Sequence, residues 1–127
     1  MAVRILIRRR AGVLILDCDG HISDPSETIA LRTAIQYQIE MGHTNLLINL
    51  SGASGMGLTA VAELIAGAYL ASQQGGRLKA IGFKNAGLQY NELLAAVLMF
   101  TDEDTALKSF YLPAVAATST QTVSPFC

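Results

Sequence analysis

The run Asn45-Leu46-Leu47-Ile48-Asn49-Leu50 constrains the fold more than any other stretch of the chain. It has the length of a strand, and its apolar residues fall on both alternating faces. A strand with one wet face alternates apolar with polar. This one does not, which predicts a central, parallel strand covered on both sides. Ser51 to Gly57 follows as a Gly/Ser-rich stretch and reads as a loop. Thr59 is then placed to cap a helix through Val61, Leu64, Ile65, Ala68 and Leu70-Ala71. Gly75-Gly76 ends it.

The segments on either side fit that central strand. Val3 to Arg9 and Val13 to Leu16 are short apolar runs around Ala11-Gly12, which predicts a β-hairpin. Asp24-Pro25 supplies an N-cap and a first helical residue. Leu31, Ile35 and Ile39 recur every four residues, Ala34 widens their face, and Gly42 closes the helix. Further on, Leu78 to Phe83 reads as a strand, Asn85 to Ala95 as a short helix, and Val97 to Phe100 as a last strand. Thr101 is placed to cap a final helix with Asp102, Glu103 and Asp104 at its positive end. A hairpin followed by β/α alternation predicts an α/β sandwich with a mixed sheet of about four to five strands and about four helices. From Pro113 onward periodicity is lost, so residues 112–127 are expected to be an unstructured tail behind a domain spanning 1–111.

A chain of 127 residues makes one domain and buries enough surface to fold without a disulfide or metal. Cys18 and Cys127 form neither a disulfide framework nor a zinc site. Charged residues make up only 15 % of the chain and the net charge is −1, which gives nucleic acid or an anionic membrane no general attraction. No apolar run has the ~20 residues of a membrane span. The three arginines Arg8-Arg9-Arg10 follow the first apolar stretch instead of preceding it, unlike a signal peptide. A cytoplasmic location is expected.

Two patterns suggest chemistry. Gly52-Ala53-Ser54-Gly55-Met56-Gly57-Leu58-Thr59 has the spacing of a phosphate-binding P-loop, but Leu58 occupies the lysine position, so the cation that meets the γ-phosphate is missing. Leu14-Ile15-Leu16-Asp17-Cys18-Asp19-Gly20 resembles the first motif of haloacid dehalogenase-like phosphatases, with Asp17 as nucleophile and Asp19 as general acid. Ser51, Lys79 or Lys84, and Asp102 or Asp104 would complete that site. Against it, Asp17 ends the second arm of a hairpin, and His21 replaces the usual Thr or Val. His21 and His43 sit at turns, the three arginines at a hairpin tip, and Tyr37, Tyr69 and Tyr90 are scattered, so none builds a site by sequence alone.

In order and spacing, several segments resemble the STAS domain of anti-sigma factor antagonists. They are Gly12 to Leu16, Gly20-His21-Ile22, Leu31 with Ile35, Gly42 through Gly52, Glu63-Leu64, Gln74 through Lys79, and Asp102-Glu103 through Phe110. The likeness spans about residues 1–110. It implies a non-enzymatic, protein-binding regulator without cofactor or metal. Its partner would be an anti-sigma factor or a related kinase-like protein. In that family a serine after an aspartate in the switch loop is phosphorylated by the partner kinase, which adds about −1.5 to −2 charges at the contact surface. Here Gly57 stands at the aspartate, Leu58 at the phosphorylated serine and Thr59 at the following serine. The expected contact residues are therefore Ser54, Met56, Gly57, Leu58 and Thr59, with Leu58 beside Met56 as an exposed apolar contact and no phospho-switch. The phosphatase using Asp17 and Asp19, and a STAS subunit of a transport-associated or scaffold complex, stay open as alternatives, as does homo-oligomerisation.

Overall fold

The hairpin and the β/α alternation are both present in the computed structural model, which describes residues 3–82 and 98–111. Strand β1 (Arg4–Arg10) turns through Ala11-Gly12 into β2 (Val13–Ile22). Helix α1 (Pro25–Glu40), strand β3 (Asn45–Met56), helix α2 (Leu58–Gln73) and strand β4 (Arg77–Ile81) follow. Strand β5 (Leu98–Phe100) and helix α3 (Glu103–Tyr111) complete the described elements. The expected helix over Asn85 to Ala95, the strand ends at Phe83 and Val97, and the tail lie outside the described residues.

The sheet runs β1-β2-β3-β4-β5, with β1 antiparallel to β2 and every later pair parallel. Ala11 (φ 53) and Gly12 (φ 81) both take the left-handed conformation that a two-residue hairpin turn needs to match strand twist. β3 is central, flanked by β2 and β4 as its composition required. Its alternation divides the core in two. Leu46, Ile48 and Leu50 join Leu14, Leu16 and Cys18 under α1 and α2. Leu47 joins Val13, Ile15 and Ile81 against Ala106 and Leu107 of α3. Leu16, Leu31, Leu46, Ile48 and Leu64 are all fully buried, and each such side chain contributes about 1.5–3 kcal/mol relative to remaining in water.

α1 and α2 lie close together because Gly67 faces Ile35. A Cβ at Gly67 would stand 2.8 Å from Ile35 Cγ2, so only glycine permits this approach. α1 has Asp24 as its N-cap and Pro25 in its first turn, as expected, and Glu27 adds to the cap by accepting from the backbone N–H groups of Ser23 (3.3 Å) and Asp24 (3.2 Å). At α3 the cap is Asp102, not Thr101: Asp102 Oδ1 accepts the Thr105 N–H at 3.3 Å.

Three expectations need correction. β2 does not stop at Leu16 but continues to Ile22, and β3 does not stop at Leu50 but continues to Met56. The stretch Ser51 to Gly57 is thus mostly strand, since β2 and β3 pair with one another as far as Ile22 and Met56. Two register shifts accommodate it, and the second leaves Ser54 bulged between the Gly20–Ala53 and His21–Gly55 pairs. Helix α2 begins at Leu58 with Gly57 as its N-cap, so Thr59 lies inside the first turn.

Candidate partner-binding surface

The carboxyl ends of β2 and β3 bring the first turns of α1 and α2 together. Gly57 N–H donates to Ile22 C=O at 2.9 Å, fixing the start of α2 against the end of β2. Thr28 of α1 and Thr59 of α2 meet through their hydroxyls at 3.3 Å. One turn further on, Arg32 Nε and Glu63 Oε2 are 3.2 Å apart. Leu58 precedes Thr59 and Ile29 follows Thr28, so two apolar side chains flank the threonine contact. Leu58 is 56 % exposed and Ile29 49 % exposed. On the bulge, Ser54 Oγ lies 3.5 Å from His21 Nδ1.

Among the expected contact residues, Ser54, Leu58 and Thr59 are exposed and share this end of the molecule, and Gly57 is half-buried. Met56 is not part of the surface. It is the last residue of β3, points inward and is buried in the α1–α2 core. Ile29, which follows Thr28 on α1, is the other exposed apolar residue beside this contact, and it carried no sequence signal because an isolated outward isoleucine on a helix is common.

The two chemical alternatives meet different geometry. A P-loop needs a loop that wraps phosphate with free backbone N–H groups. Here Gly52 to Met56 is paired strand, and Gly57 alone connects it to α2. Asp17 is held from both oxygens. Arg8 Nε donates to Oδ2 at 2.6 Å and Arg8 Nη2 to Oδ1 at 3.1 Å, while Asn49 Nδ2 also donates to Oδ1 at 2.7 Å. The Arg8 hydrogen bonds, helped by Asn49, hold the Asp17 carboxyl below its ordinary range against the opposing effect of burial. Asp19 lies 3.5 Å from Arg4.

The other groups proposed for that site have separate tasks. Lys79 is buried and donates to Ser109 Oγ at 2.7 Å, Asp102 caps α3, and Asp104 pairs with Arg10. Lys84 lies outside the described residues. The arginines at the hairpin tip build a network: Arg8 and Arg10 both reach Glu103 of α3. Burial pushes the Cys18 thiol up to about 12, with the charges of Asp17 and Asp19 adding to the shift, so it is an inert core group.

With this geometry described, solved structures place the fold. A putative anti-sigma factor antagonist from Thermotoga maritima superposes with a TM-score of 0.75 at 12 % identity, covering 84 % of this chain and 94 % of that one. An anti-sigma factor antagonist from Mycobacterium paratuberculosis gives 0.75 at 20 % identity, covering 87 % and 95 %. The unphosphorylated anti-sigma factor antagonist SpoIIAA gives 0.65 at 13 % identity, covering 92 % and 100 %. The chain has the STAS fold. The likeness extends over nearly the whole of each of these proteins, so it is not confined to a shared βαβ unit. No family model matches the sequence, and no curated protein matches it. On the STAS fold, the junction of β3 and α2 carries Leu58, and the described helices include none long and apolar enough to cross a membrane.

Proposed function

We propose that this chain is a non-enzymatic, cytoplasmic regulatory module of the anti-sigma factor antagonist type. Residues 1–111 form its binding domain and 112–127 its tail. Its partner is an anti-sigma factor or a related kinase-like protein, held through Ser54, Gly57, Leu58 and Thr59, with Ile29 extending the contact.

One observation carries this reading. Leu58, at the position where the resemblance puts a phosphorylated serine, is the first residue of α2 and more than half exposed. A helix N-terminus favours an anion, yet this one presents an alkyl side chain to solvent. That chemistry suits continuous apolar contact, not release by phosphorylation. Thr59 has the nearest hydroxyl, which is engaged with Thr28.

The reading is tested by affinity capture on the immobilised chain, with mass spectrometry of the retained proteins. Retention of a kinase-fold ATPase by the native chain, and its loss with Leu58→Asp, is the expected result. Retention that is indifferent to Leu58→Asp overturns the assigned surface. Stoichiometric phosphate on Ser54 or Thr59 after incubation with that ATPase and ATP overturns the absence of a switch.

A further inference from the structure

A second site lies at the opposite end of β3 from Leu58. The β1–β2 turn and the turn joining α1 to β3 enclose a cavity of about 160 Å³ lined by Arg9, Gly12, Gly42, His43, Thr44 and Asn45, together with Leu14. Arg9 is donor-only, His43 and Asn45 can each donate, and among the described residues no carboxylate lines it.

Arg9 differs from its neighbours on β1. Arg4 meets Asp19, Arg8 meets Asp17 and Glu103, and Arg10 meets Glu103 and Asp104. Among the described residues Arg9 meets no carboxylate. Its one side-chain contact there is Nη2 to His43 Nδ1, at 3.5 Å. A guanidinium has five N–H donors in a planar fork, and this long contact engages only one of them. Asn45 is oriented as well: its Oδ1 accepts the Arg77 N–H at 3.2 Å, and its Nδ2 has no acceptor among the described residues. The backbone carbonyls of Tyr37, Gln38 and Ile39 at the end of α1 are taken by the backbone N–H groups of Met41, His43 and Gly42, so capping that helix does not call on the side-chain donors of the cavity.

We propose that this cavity binds a small oxyanion of the phosphate class, with the Arg9 fork engaging two oxygens and His43 and Asn45 completing the donor set. Planar guanidinium forks match phosphate geometry in a way a point charge does not. The proposal is independent of the partner surface, since Leu58 and Arg9 lie at opposite ends of the sheet.

The probes are inorganic phosphate and glycerol phosphate, titrated at constant ionic strength against the full chain and followed by NMR of the His43 ring and the Asn45 side-chain amide. Saturable shifts at both groups are expected, with Arg9→Gln weakening affinity by about tenfold or more and Lys108→Gln, which removes an exposed charge on α3, changing it less than about twofold. Arg9→Lys retains the charge without the fork and is expected to fall between the native chain and Arg9→Gln. A response to phosphate alone marks a free-ion site; a response to both marks a phosphomonoester site; each supports the assignment. No saturable response to either, an equal response to chloride, or full affinity in Arg9→Gln would overturn it.

Discussion

Arg8 of the edge strand donates from Nη1 to Glu103 Oε2 of α3 at 3.0 Å, across a sequence separation of 95 residues. The same guanidinium holds Asp17, and Glu103 in turn also holds Arg10. The hairpin and the last described helix are thereby joined on the face of the sheet opposite α1 and α2. The side chains are only partly shielded, with Arg8 40 % and Glu103 20 % exposed, so the value of the link is modest for its geometry.

This link predicts an acid-labile contribution to stability. The hydrogen bond from Arg8, then that from Arg10, holds the Glu103 carboxyl below its ordinary range despite burial, and Asp17 is lowered likewise by Arg8. A carboxylate with a depressed folded pKa stabilises the fold above its unfolded value, near about 4, and loses that contribution as pH falls through the folded pKa. Thermal unfolding of the native chain should therefore weaken below about pH 4 more steeply than that of Glu103→Gln. At pH 7 Glu103→Gln should cost about 1 kcal/mol. Parallel pH curves for the two proteins would show that the link contributes nothing.

Gly67→Ala tests the packing of α1 on α2. Alanine improves helix propensity by about 1 kcal/mol. The new Cβ, however, meets Ile35 Cγ2 at 2.8 Å and Leu78 Cδ1 at 3.1 Å, both on buried side chains, and overpacking of this kind costs about 1–3 kcal/mol. The clash should win, giving a lower denaturant midpoint with an unchanged slope. A midpoint at or above the native value would show that the two helices separate readily.

Lys79→Met should leave stability at pH 7 unchanged or raise it. Lys79 is 3 % exposed, and its amine lies 4.6 Å from the Phe110 ring centre and 5.5 Å from that of Phe100. Burial, with a smaller effect of Arg77, pulls its pKa below the usual lysine value. Desolvation disfavours the charged form, and methionine fills similar space without that cost. The sign follows from proton binding. The unfolded chain holds this proton to higher pH, so native stability recovers as pH rises through the lysine range. The advantage of Lys79→Met should shrink there; an advantage that grows would refute this account.

The parts legible in the sequence are those set by local alternation. Leu46, Leu47 and Ile48 announced a strand covered on both faces, and they are buried in two separate clusters. The error over Ser51 to Met56 came from judging composition alone. Gly and Ser weaken intrinsic strand preference, but pairing with β2 carries the segment to Met56, and tertiary context overrides propensity there. That extra strand length also turned Met56 inward. The Arg8–Glu103 link had no local signature, because its partners come from opposite ends of the described chain and meet only once the sheet has formed.

Leu58 offers the sharpest separation of fold from function. As the first residue of α2, with Gly57 as N-cap, it occupies a place where a carboxylate interacts favourably with the helix dipole, by about 0.3–1 kcal/mol. Leu58→Asp should therefore leave the melting temperature unchanged or slightly higher. The same substitution puts a charge into an apolar contact, where desolvation without a compensating partner is costly, and should weaken capture of the kinase-like protein by at least about tenfold. Leu58→Ser provides the opposite arm. It restores a hydroxyl at the exposed start of the helix, free of the threonine pair that engages Thr59, and should become phosphorylated by the captured ATPase, with loss of binding when modified. Calorimetric melting, a binding titration and phosphopeptide mapping on these two variants form one experiment. A melting temperature that falls together with affinity in Leu58→Asp would assign Leu58 a structural role, and a Leu58→Ser chain that is neither modified nor altered in binding would place the partner contact elsewhere on the molecule.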